Sequence, residues 1–89
     1  MKSPAPKPDL LHLSAAQVAA TIEASGLERQ AFAALVGCGT SQLWKYQHEG
    51  LPPRVNCAVR AAILEQAAAH AVIPGNAALR EAIRKLKSE

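Results

Sequence analysis

Gly37-Cys38-Gly39 cuts a run of helical periodicity in two, and that break limits what the stretch 29–50 can become. Ahead of it, RQAFAALV sets Phe32, Leu35 and Val36 on one side of a short helix, with Ala33 small enough for close helix contact. Behind it, a second helix starts near Thr40 and turns Leu43 and either Tyr46 or Gln47 inward. Its outward set is Thr40, Ser41, Trp44, Lys45 and His48, which is polar, hydrogen-bonding and basic. The reading is a helix, a tight turn and a second helix with a face free for contact.

The rest of the chain supplies a frame for that pair. Leu13-Ser14-Ala15-Ala16-Gln17-Val18 predicts a helix start in which Ser14 and Gln17 cap each other's backbone and Leu13 meets Val18. This helix spans about 15–25, with Ala15, Val18, Ala19 and Ile22 inward, and Gly26 ends it in a left-handed cap. Leu27 is expected to anchor the turn into the next helix, at 29–36, and the one after it covers 40–48. Gly50-Leu51-Pro52-Pro53 breaks the chain again, and proline near a helix start predicts a long helix over 54–72. Its core stripe is expected at Val55, Ala58, Val59, Ala62 and Ile63, with a second stripe at Cys57, Ala61, Leu64, Ala68 and Ala71. A helix apolar on two sides needs two partners, which here are the core and either the final helix or a second subunit. Pro74-Gly75 ends it, Asn76 caps the last helix, and Leu79, Ile83 and Leu86 share a face there. Leu64, Leu79, Ile83 and Leu86 are accordingly the expected dimer interface, in a protein dimeric at micromolar concentration.

These segments define an all-α, compact five-helix domain. It comprises a Pro-containing basic arm and lead-in (1–13), a core (14–73) and a C-terminal amphipathic helix (74–89). Eighty-nine residues support one small core. Hydrophobic content is 49% but aromatic content only 3%, so the core closes by near approach of alanine-rich helices. No run reaches the roughly 20 apolar residues of a membrane span, and prolines follow the basic start where a signal peptide needs an apolar run. The expectation is a cytoplasmic protein with no membrane partner.

The segment 29–50 resembles the helix-turn-helix family of phage Cro and lambdoid repressors, which includes the xenobiotic-response-element-type bacterial regulators. Ala33, Gly37 and Leu43 match the family's small, glycine and aliphatic positions, and Phe32, Val36 and Cys38 fill the apolar places around them. Tyr46 stands where a large apolar residue is common. The chain departs from the pattern at Gln47-His48-Glu49-Gly50, which is one residue longer than the family's usual way out of the second helix.

The resemblance implies a lambda-repressor-like fold and a transcriptional regulator, most simply a dimeric repressor reading a palindromic operator on double-stranded DNA. It places Thr40, Ser41, Trp44 and Lys45 toward base edges, and Arg29 at a phosphate-contacting position. Gln30 beside a helix N-terminus, His48 when protonated, and Arg54 at the start of the next helix complete the phosphate set. Thr40 or Ser41 can instead cap its own helix, and Trp44 can face the groove or lie against the loop 50–53. The arm at 1–9 is either a minor-groove contact or a disordered terminus.

A formal charge of +3 suits a polyanion without requiring one. Lys2 and Lys7 lie in the arm, Arg29, Lys45, Arg54 and Arg60 around the motif, and Arg80, Arg84, Lys85 and Lys87 at the end. Cys38 and Cys57 make no CxxC, and His12, His48 and His70 have no metal-ligand spacing, so the thiols read as small buried hydrophobes. No acid–base or nucleophile constellation and no phosphate loop appears, which argues against an enzyme and leaves no cofactor, metal or small-molecule effector expected. The alternatives are a helical protein-interaction module, or an antitoxin that represses its own operon.

Overall fold

A computed structural model describes residues 13–52 and 55–88. The basic arm and the start of the long helix at Arg54, with its assigned phosphate contact, lie outside the described residues. The described chain is all-α and forms five helices: α1 (Ala15–Ser25), α2 (Arg29–Val36), α3 (Thr40–Glu49), α4 (Cys57–Ala69) and α5 (Ala77–Lys87).

Each helix begins or ends where side-chain chemistry allows. Ser14 Oγ accepts from the Gln17 N–H at 3.2 Å, while Gln17 Oε1 accepts from the Ser14 N–H at 2.9 Å. Leu13 and Val18 are buried on either side of that cap. α1 stops at Gly26 (φ 72°) and α2 at Gly37 (φ 83°), both left-handed positions that glycine occupies without a Cβ clash. The N–H groups of Gly37 and Cys38 both donate to the Ala33 carbonyl, which pulls the chain round into α3.

α1, α2 and α3 pack on one another, and α4 lies against α1 and α2. Their shared core is Val18, Ile22, Phe32, Ala33, Val36, Leu43, Tyr46, Ile63 and Leu64, joined by Leu13 and Leu51 from the loops. Thr21 is also buried, its hydroxyl donating to the Gln17 carbonyl at 2.7 Å, so a polar side chain enters the core with its donor satisfied. Leu35 does not join this core. Residues 32, 33 and 36 turn inward, and Leu35 is left 53% exposed on the opposite side. Leu27 is likewise exposed rather than anchoring its turn.

The long helix differs most from expectation. Asn56 Oδ1 accepts from the Ala58 N–H at 2.8 Å, so α4 starts at Cys57 rather than 54. It ends at Ala69, followed by Ala71 in a left-handed conformation (φ 59°). The buried face is Arg60, Ala61, Ile63, Leu64 and Ala67, with Ala58 exposed and Val59 and Ala62 half-buried. Alanine on almost every side of the helix leaves periodicity little power to choose a face.

Arg60 is the unexpected member. It is 4% exposed and its Nη2 donates to the Pro52 carbonyl, so it braces the loop after α3 from inside and is no part of a basic surface.

α5 packs on α4 alone among the helices. Leu79, Ile83 and Leu86 are buried there, and Leu64 is fully buried as well. Burial within one chain leaves these four residues, the expected dimer interface, little surface to offer a second copy. Lys87 pairs with Glu65 at 2.9 Å across that contact. Among the described residues, no helix is long and apolar enough to cross a membrane.

Candidate nucleic-acid interface

α3 is held from behind. Leu43 (0% exposed) and Tyr46 (9%) fix its inner face against α1 and α2, which leaves the opposite face open. Thr40, Ser41, Trp44, Lys45 and His48 all lie on that open side and are exposed. Burial raises the Tyr46 hydroxyl pKa first, the nearby Cys38 raises it further, and Arg60 partly offsets both. Burial also raises the Cys38 thiol pKa, which makes it a poor nucleophile and consistent with a packing role.

The first turn of α3 is capped without its hydroxyls. Gly39 occupies the cap position, and Gln42 Oε1 reaches back to the Gly39 N–H at 3.4 Å. Thr40 and Ser41 do not cap the helix, and neither hydroxyl has a hydrogen-bond partner among the described residues. Both face solvent with their donors and acceptors available. Gln42, a conceivable base reader by chemistry, is occupied with the cap.

A shallow depression of about 340 Å³ is lined by Arg29, Thr40, Ser41, Trp44 and Lys45. Arg29 comes from α2, eighteen residues before its anchor: its Nε donates to Gln47 Oε1 at 2.7 Å. That bond orients the guanidinium across the start of α3 and ties the two helices of the motif together. The sequence offers Gln47 only as an alternative inward residue, and no local spacing announces a pairing so far along the chain. Gln30 is exposed at the start of α2 but is not in the lining.

Trp44 turns outward rather than onto the following loop. It is 46% exposed, and its ring stacks on His48 with centroids 4.1 Å apart and planes at 28°. His48 Nδ1 lies 2.8 Å from the Trp44 carbonyl oxygen, so the imidazole is steered by the same residue it stacks on. The two rings form one flat, amphipathic ridge beside Lys45.

The additional residue in Gln47-His48-Glu49-Gly50 is absorbed by α3, which continues through Glu49. Gly50 then takes φ 91° and ψ 169°, a region essentially restricted to glycine. A Cβ there would lie 3.1 Å from the Leu13 carbonyl oxygen and 3.3 Å from the Ala15 nitrogen. The next residue, Leu51, donates its N–H to that same Leu13 oxygen at 2.9 Å. The end of α3 is thus seated on the start of α1.

No family model, curated protein or solved structure matches the chain. Among the described residues, no group of three or more His, Cys, Asp or Glu could hold a metal ion.

Proposed function

We propose that the chain is a sequence-specific DNA-binding transcriptional regulator of the helix-turn-helix type, acting in the cytoplasm as a repressor that covers its operator. The observation that carries this reading is the convergence of Arg29, Thr40, Ser41, Trp44 and Lys45 on the uncovered side of α3. A major groove accepts an α-helix of this width, and base edges there are read by such donors and acceptors. Lys45 suits guanine O6 and N7, the free Thr40 and Ser41 hydroxyls suit base edges or phosphates, and the Thr40 methyl suits a thymine methyl. Arg29, oriented by Gln47, suits a phosphate beside the groove. His48 is a further phosphate candidate whose position is tied to Trp44. One such helix reads few bases, so two copies on palindromic half-sites about 34 Å apart complete the recognition.

A titration against random duplex DNA at low and moderate salt tests the polyanion component. The expected result is binding that weakens steeply with salt. Absent or salt-independent binding would refute the proposal and favour a protein-interaction module using the exposed Trp44. Selection of duplexes from a random pool then supplies a site. Lys45→Ala is expected to lose preference for that site far more than random-DNA affinity; equal losses would make Lys45 a phosphate contact.

A further inference from the structure

Trp44 and His48 stand one helical turn apart on the exposed side of α3, and their contact fixes more than the direction of a ring. His48 Nδ1 lies 2.8 Å from the Trp44 carbonyl oxygen. A carbonyl only accepts, so Nδ1 carries the proton of that bond. A neutral imidazole has a single N–H, and here it is committed to Trp44. Nε2 is then a bare lone pair, exposed and without a hydrogen-bond partner among the described residues. Stacking on the indole, with centroids 4.1 Å apart, holds the ring in this pose. Protonation adds a second N–H at Nε2 and disturbs neither restraint, since the Nδ1 bond stays and an aromatic face accepts a cation.

The surroundings leave that second N–H unclaimed. α1 and α2 are the helices that pack on α3. The charged residues of these three helices and their caps are Glu23, Glu28, Arg29, Lys45 and Glu49, all exposed. Arg29 is tied to Gln47, and the buried Arg60 of α4 is turned to Pro52. Cys38 is half-buried and Tyr46 turns inward. Glu49 follows His48 directly and so projects about 100° around the helix. No carboxylate pairs with His48: the ion pairs among the described residues are Arg84–Glu81 and Lys87–Glu65, both on α5. His48 also stands in the last turn of α3, beyond the depression that Thr40 and Ser41 line. Where the N-terminal residues of such a helix read base edges, its last turn runs out toward the phosphates.

On the DNA reading of α3, on which this step rests, we infer that His48 is a proton-gated phosphate contact. Charged, it donates Nε2–H to a phosphate oxygen. Neutral, it turns a lone pair toward the same oxygen and is repelled. Binding therefore draws a proton onto His48, and DNA affinity rises as pH falls through the imidazole range, from about pH 8 to about pH 5.

Two measurements on the full chain test this. The first titrates a short random-sequence duplex at several salt concentrations, from about pH 5.5 to about pH 8. The affinity of the native chain relative to His48→Ala is expected to be about five- to tenfold at the acid end and near one at the alkaline end. Taking that ratio removes what His12 and His70 contribute, and equal affinities at the alkaline end show that the variant folds. The native slope of log affinity against log salt should be steeper by about one at the acid end, a change that His48→Ala should lack. The second measurement needs no DNA. Trp44 is the single tryptophan of the chain, and an imidazolium stacked on an indole quenches its fluorescence. Emission of the free native chain should fall with pH over the same range, and that of His48→Ala should not. Salt-dependent binding with a ratio that is flat in pH would overturn the inference and leave the DNA reading standing. A ratio that grows toward alkaline pH would overturn it too, by making Nε2 an acceptor from a base amine. Emission that stays unquenched in acid would remove the stack on which the contact depends. Binding by no form at any pH would end both readings.

Discussion

Replacing Gly50 by alanine should damage this fold more than replacing any other described glycine. The backbone there has φ 91° and ψ 169°, a conformation that costs a residue with a side chain about 1–3 kcal/mol. The added methyl meets the Leu13 oxygen at 3.1 Å and the Ala15 nitrogen at 3.3 Å, both backbone atoms with no rotamer to yield. Relief moves the end of α3 off α1 and stretches the Leu51 N–H to Leu13 carbonyl bond, worth about 0.5–1.5 kcal/mol. The combined loss is about 1.5–4.5 kcal/mol. Gly26→Ala is the control. It shares a positive φ (72°), but nothing lies within 4 Å of its Cβ position, so only the left-handed strain of about 1–2 kcal/mol applies. Urea unfolding followed by far-ultraviolet circular dichroism measures both, with the slope checking two-state behaviour. A Gly50→Ala cost no larger than that of Gly26→Ala would refute the claim that close approach of α3 to α1 fixes this position. If the claim stands, DNA affinity should fall as well, since the exposed face of α3 is aimed through this contact.

Three further expectations follow from single contacts. Gly39→Ser supplies the hydroxyl that the α3 cap lacks, and urea unfolding should show a gain of only a few tenths of a kcal/mol, because glycine is itself a fair cap. Burial raises the pKa of both the Cys38 thiol and the Tyr46 hydroxyl. Their contribution to stability is therefore fully present below the unfolded-state values, near 8.5 and 10, and is lost as pH rises beyond them. Unfolding free energy measured across the alkaline range should fall, with a shallower early decline in Cys38→Ala; a flat profile in the native chain would count against it. Arg29→Ala should lower the slope of log affinity against log salt by about one on random duplex DNA, whereas an unchanged slope would remove Arg29 from the phosphate contacts.

The parts of this protein that could be read from sequence are those fixed by short-range chemistry. Ser14 and Gln17 cap each other three residues apart, Gly26 and Gly37 relieve the left-handed strain of a helix end, and Asn76 caps α5. Leu79, Ile83 and Leu86 stand out as one stripe because the rest of α5 is alanine or charged. α4 offers no such contrast: of its expected core stripe Ile63 is fully buried, Val55, Val59 and Ala62 are half-buried against the core, and Ala58 is exposed. The start of α4 also escaped, because Asn56 is an effective cap while the prolines before it suggested an earlier beginning.

What depends on distant residues meeting was decided only by the tertiary structure. Arg29 finds Gln47, Arg60 enters the interior to reach Pro52, and Gly50 seats α3 on the start of α1. The burial of Leu64 and the exposure of Leu35 are likewise outcomes of how helices pack. By itself the sequence determined five helical segments and the polar, basic residues on the outer side of the third, because periodicity and capping act within a few residues. Tertiary packing determined which apolar faces are buried, which are left open and where the side chains around α3 converge, because each depends on the angle at which one helix lies against another.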